Sequence, residues 1–112
     1  MNVEQLTALV VESLENMKAK DIRCLDVTGL SSFTDTMVIC SGTSNRQVKA
    51  IADSVMMDAK KEGVNVIGVE GQDAAEWVLV DLGDVIVHVM QPAVRDFYQL
   101  EKLWDPSLAE QE

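Results

Sequence analysis

Between residues 77 and 90 the chain reads W-V-L-V-D-L-G-D-V-I-V-H-V-M, two apolar runs that alternate in character around a Gly83-Asp84 step. Successive side chains of a strand point to opposite faces, and a Gly-Asp pair between two such runs signals a two-residue hairpin turn. With the turn at that step, Leu82 pairs with Val85, Val80 with Val87 and Val78 with Val89, so one face is wholly aliphatic and is assigned to the core. The other face carries Trp77, Leu79, Asp81, Ile86, His88 and Met90, a mixture of large apolar and polar groups that a core does not need. It is expected to be a surface that touches a partner.

Elsewhere the period changes from two to between three and four. Val3, Leu6, Leu9, Val10, Leu14 and Met17 form one apolar stripe, which predicts a first helix ending near Lys20. Two β-rich runs over 22–28 and 36–40 follow, joined by the polar loop G-L-S-S-F-T-D. Ser44 and Gln47 then stand at capping-box spacing, with Gly42 allowing a sharp turn into a helix whose buried stripe is Val48, Ile51, Ala52, Val55 and Ala59 and whose C′ residue is Gly63. A third strand is expected over 64–69, reached through that helix by a right-handed crossover, which makes the sheet mixed. Pro92 opens a last helix carrying Val94, Phe97, Leu100, Leu103 and Trp104. The expected fold class is α+β: a mixed five-stranded sheet with helices packed mainly on one face, leaving part of the other for a partner.

Length keeps this to a single domain over residues 1–106, with a frayed tail over 107–112. No run approaches the roughly 20 apolar residues of a membrane-spanning helix, and the opening M-N-V-E-Q has no basic and apolar leader pattern, so a cytoplasmic location is expected. Cys24 and Cys40 each lie within an apolar run and are read as buried thiols rather than a disulfide. Charge changes the picture more: nine Lys and Arg against nineteen Asp and Glu give −10. Such a surface repels phosphate backbones, argues for little or no direct nucleic-acid binding, and favours encounter with a basic protein. Arg46 and Lys49 at the capped helix leave room for one or two phosphate contacts.

The candidate chemistry is sparse. His88 is the single histidine, no Cys-x-x-Cys pair exists, and so neither a metal site nor a cofactor is expected. As a general base His88 would need an orienting carboxylate, and Asp81 is at best a diagonal neighbour. Asp84, Asp26 and Asp35 border turns, where aspartate is ordinary turn and cap chemistry. The strand–G-T-S–helix step has the physics of an anion site and the shape of the nucleotidyltransferase turn, but the next acid is Asp53, inside the helix, so the carboxylate pair for metal-assisted phosphoryl transfer is missing.

Five stretches of the chain together resemble the ribosomal silencing factors, or Iojap-like proteins, most closely the proteobacterial members. They are D-V-T-G-L-S-S-F-T-D from Asp26, V-I-C-S-G-T-S-N-R-Q-V-K-A-I-A-D from Val38, V-E-G from Val69, the hairpin from Trp77, and R-D-F-Y-Q-L-E-K-L-W from Arg95. Met90 departs from the phenylalanine common in the family. The resemblance implies a nucleotidyltransferase-like topology without the catalytic carboxylates. It also implies a non-enzymatic repressor that binds the large ribosomal subunit through its fourteenth protein (uL14), blocks joining of the small subunit, and damps translation when nutrients are scarce. The contact patch expected on that basis is Trp77, Leu79, His88 and Met90, with Tyr98 and Trp104 as anchors and Asp81 and Glu70 as acidic contacts. Phe97 is expected instead to pack the last helix onto the sheet, and Arg95 to pair locally with Glu101. Two other classes stay open: a residual nucleotidyltransferase, disfavoured by the missing acids, and a homodimer formed through the same face.

Overall fold

The computed structural model describes residues 1–29 and 34–99. In chain order the elements are α1 (Val3–Asn16), β1 (Lys20–Asp26), β2 (Thr36–Ser41), α2 (Asn45–Lys61), β3 (Gly68–Glu70), β4 (Trp77–Asp81), β5 (Val85–Met90) and α3 (Pro92–Tyr98). The strands form one mixed sheet in the order β1-β2-β5-β4-β3. Only β2 and β5 run parallel; the remaining neighbours are antiparallel.

The α+β class and mixed sheet are as expected, but the crossover leads elsewhere. The helix after β2 delivers the chain to the far edge, so β2 lies beside β5 and not beside the strand that follows α2. That third strand is also shorter than the expected 64–69, pairing with β4 only over Gly68–Glu70. Val64 and Val66 are spent packing against the helix-side core, and the Ile67 N–H alone extends the ladder, donating to the Asp81 carbonyl at 2.8 Å.

Both long helices begin at capped ends. Asn2 and Gln5 form a reciprocal capping box at the start of α1, a signal the sequence reading passed over. At α2 the expected box is half made. Ser44 Oγ accepts from the Gln47 N–H at 3.1 Å, whereas the Gln47 side chain reaches one residue further back, accepting from the backbone N–H and hydroxyl of Thr43. At Gly42 a Cβ would crowd Val48, 3.0 Å from its Cγ2 and 3.1 Å from its backbone N, so glycine lets α2 close directly onto the end of β2.

The core lies between α1, α2 and one face of the sheet. Leu6, Val10 and Leu14 of α1 and Val48, Ile51, Ala52, Val55 and Ala59 of α2 cover Val38, Cys40, Val78, Val80, Val85, Val87 and Val89. The hairpin register is the expected one, with Val78 opposite Val89, Val80 opposite Val87, and the Leu82 N–H bonded to the Val85 carbonyl. A second, smaller cluster of Leu25, Val27, Met37, Ile39 and Met90 sits on the opposite face, with Trp77 and Val94 packed against it. There α3 docks, its Arg95 Nη1 donating to Ser41 Oγ at 3.0 Å.

The last helix, α3, opens at Pro92 as expected. It closes at Tyr98, where Gln99 turns left-handed at φ 49° and donates its N–H back to the Arg95 carbonyl. Leu100, Glu101, Leu103, Trp104 and the tail over 107–112 lie outside the described residues, as do residues 30–33 of the first loop.

Candidate partner-binding site

Strand register alone places the polar and aromatic groups of the second face in rows. One row runs Arg23, Ile39, His88, Leu79, Glu70 across all the strands, and the next runs Leu25, Met37, Ile86, Asp81, Gly68. On the other side of the first row, Ser41, Met90 and Trp77 stand abreast. Trp77 and His88 are therefore diagonal neighbours on the hairpin, close enough for long side chains to meet.

They do meet. The Trp77 indole Nε1–H donates to His88 Nδ1 at 2.9 Å. An imidazole that accepts at Nδ1 is neutral with its proton on Nε2. Burial among apolar neighbours favours that form and pushes the His88 pKa down to about 4. On its outer side Trp77 packs against Tyr98, with ring centroids 5.0 Å apart, and Phe97 meets Tyr98 edge-on at 5.1 Å. The result is an aromatic ladder that climbs out of the protein. His88 is 5% exposed, Trp77 half-buried, Tyr98 54% and Phe97 80% exposed.

Beside the ladder, Glu70, Gly71, Trp77 and Leu79 line a shallow hollow of about 360 Å³. Gly71 has φ +87°, and a Cβ there would lie 2.0 Å from the Trp77 carbonyl oxygen, so only glycine lets the chain pass over the start of β4. Asp81 is half-exposed, with one carboxylate oxygen accepting from the Gly83 N–H at 2.8 Å, so part of it serves the hairpin turn. Glu70 is exposed at the end of the His88 row.

The structure therefore brings together Trp77, Leu79, Tyr98, Glu70 and Asp81 of the expected patch, and revises the rest. Met90 is 0% exposed because the start of α3 and the second cluster close over it, and His88 lies beneath the indole. Neither offers surface to a partner. Phe97, expected to pack inward, is the most exposed ring of the ladder, because Val94 is the residue of α3 that packs on the second cluster. Arg95 is buried and donates to Ser41 Oγ, while Glu101, its expected local partner, lies outside the described residues. Trp104 lies outside the described residues.

Of the two cysteines expected to be buried, one is and one is not. Cys40 is buried and its thiol is pushed up to about 12, as a core thiol should be. Cys24 is exposed, because β1 is an edge strand and α1 stands off it, leaving a groove of about 680 Å³ that Cys24 lines with Val3, Thr7, Ala8 and Val11. At the other end of that groove Asp26 accepts from the Thr28 backbone N–H at 2.9 Å, which holds its carboxyl below the usual range and marks it as a turn residue. Among the described residues, no three His, Cys, Asp or Glu side chains gather as a metal site.

The family model described as "Ribosomal silencing factor during starvation" matches residues 1–112. The chain belongs to the ribosomal silencing factor family. It is 51% identical over 104 residues to the silencing factor of Chromobacterium violaceum, covering 93% of this chain and 85% of that one. It is 50% identical over 99 residues to that of Haemophilus influenzae, covering 88% and 97%. A crystal structure of a protein from Chromobacterium violaceum, 51% identical, superposes with a TM-score of 0.92 over 93% of this chain and 87% of that chain. Membership in this family implies ribosome-associated regulation of translation, and it gives the aromatic ladder a context that strand register alone could not supply.

Proposed function

We propose that this silencing factor represses translation in the bacterial cytoplasm by binding the large ribosomal subunit through its fourteenth protein (uL14), so that its own bulk keeps the small subunit from joining. The observation that carries the reading is the family match over residues 1–112. Two features support the mode of binding. The ladder of Phe97, Tyr98 and Trp77, with Leu79 beside it, is an exposed aromatic patch, the kind of feature that anchors protein interfaces. A net charge of −10, with Glu70 and Asp81 flanking the ladder, complements a basic partner.

The mechanism is steric and asks for no bond to be made or broken. Occupancy of one surface excludes a much larger body, so affinity and position set the effect. Repression is expected when nutrients are limiting, since regulation of translation during starvation is what the family is named for.

The test is sedimentation of the purified chain with isolated large subunits, followed by addition of small subunits and a gradient profile of joined ribosomes. Comigration with large subunits and a fall of the joined peak in proportion to occupancy are expected. A chain that stays at the top of the gradient, with joining unaffected, overturns the reading. The double variant Trp77→Ala, Leu79→Ala, still folded by circular dichroism, is expected to lose comigration, because truncating an interface tryptophan costs on the order of 2 kcal/mol.

A further inference from the structure

Trp77 has one polar hydrogen, and in this structure it points inward. An indole N–H that reaches an interface unsatisfied must find an acceptor on the partner or suffer desolvation; one already bonded to its own protein does neither. Here the acceptor is His88 Nδ1, at 2.9 Å, on a histidine that is 5% exposed and sits one strand away on the rigid hairpin. His88 stands in its strand row between Ile39 on one side and Leu79 on the other. From outside, the Tyr98 ring packs on the indole at a 50° tilt. A side chain whose terminal torsion is otherwise broad is thus set from both directions before any partner arrives.

We propose that His88 is a positioning residue for the partner surface: it does not touch the partner, and acts by holding the Trp77 indole with its N–H turned inward, so that Trp77 presents hydrocarbon face and edge. The inference rests on the reading that Trp77 belongs to the contact surface. It goes beyond that reading in two respects. It moves His88 from the contacts to the support beneath them, and it sets the chemistry of the partner's receiving pocket, which must be apolar where Trp77 enters and has no call for an acceptor at the indole nitrogen.

The experiment uses His88→Leu, which removes the acceptor, His88→Asn, whose amide oxygen falls near the place of Nδ1, and Trp77→Phe, which removes the donor. Each is measured for binding to isolated large subunits and, in a Trp104→Phe chain where Trp77 supplies the only indole, for solvent exchange of the indole N–H by nuclear magnetic resonance. In the parent chain the indole proton is expected to exchange slowly. His88→Leu should speed that exchange and weaken binding about tenfold, and His88→Asn should restore part of both. In the Trp77→Phe background His88→Leu should weaken binding no further, whereas a merely structural role would weaken it equally in both backgrounds. Wild-type affinity in a folded His88→Leu chain, or an equal loss in the Trp77→Phe background, overturns the positioning role while leaving the contact surface standing. Undiminished binding by Trp77→Ala overturns the contact reading and the positioning role with it.

Discussion

At the scale of single residues, burial decides what each titratable group does. His88 has apolar cross-strand neighbours in Ile39 and Leu79 and a hydrogen bond that only its neutral form accepts, and its pKa falls to about 4 in the folded chain. An unfolded histidine titrates near 6.5, so between those values the unfolded state binds a proton that the folded state refuses. The contribution is fully present above pH 6.5 and is lost as pH falls toward 4. Urea unfolding at pH 7.5 and pH 5 should show a stability loss from this group of about 2 kcal/mol at the lower pH, and His88→Leu should show a correspondingly smaller drop between the two. Identical pH dependence in the two chains would contradict the assignment. The two cysteines differ for the same reason. In the native chain a thiol reagent should modify Cys24 and leave Cys40 untouched, Cys40 reacting only after unfolding; two fast thiols in the folded state would place Cys40 wrongly. The identity of Cys24 as an exposed thiol was not legible, since an apolar run reads the same on an edge strand as on a central one.

Among the elements, the hairpin was the most legible because its alternation and its turn agree: Val78, Val80, Leu82, Val85, Val87 and Val89 each lie where period two puts them. The long helices were legible for the parallel reason, a stripe at helical period bounded by caps. The ends of the chain's weaker elements were not. β3 is set by how much of 64–70 the edge of β4 can pair, and α3 by where Gln99 turns left-handed, and neither is a local propensity. The stretch from β3 to β4 hangs on Gly71, whose significance appears only once the Trp77 carbonyl is seen where a Cβ would be. Gly71→Ala is expected to destabilise the fold by about 2 kcal/mol or more, combining a left-handed backbone with a steric clash, and to shift Trp77 fluorescence in the folded fraction. A chain with unchanged unfolding midpoint and emission would remove Gly71 from this role.

For the whole molecule, shape and charge act together. Two long helices occupy one face of the sheet, and the opposite face is divided between a small apolar cluster under α3 and the aromatic ladder beside it. An acidic chain that meets a basic partner should associate more slowly as salt rises, since exposed charges separated by more than about 8–10 Å are screened near physiological ionic strength. Association with large subunits between low and high salt should show falling on-rates with little change in dissociation from the aromatic anchors. A salt-independent on-rate would mean that the −10 charge takes no part in the encounter. Hydrophobic period, turn chemistry and composition, all local or summed properties, determined by themselves that this is an acidic α+β chain with a two-faced hairpin, and its motifs carried its family. Only the tertiary structure decided which of the groups on the mixed face are surface. His88 and Met90 share that face with Trp77 and Leu79 in any strand pattern, but α3 folds back over Met90 and the indole lies over His88, and coverage by residues distant in the chain is not written in a period of two.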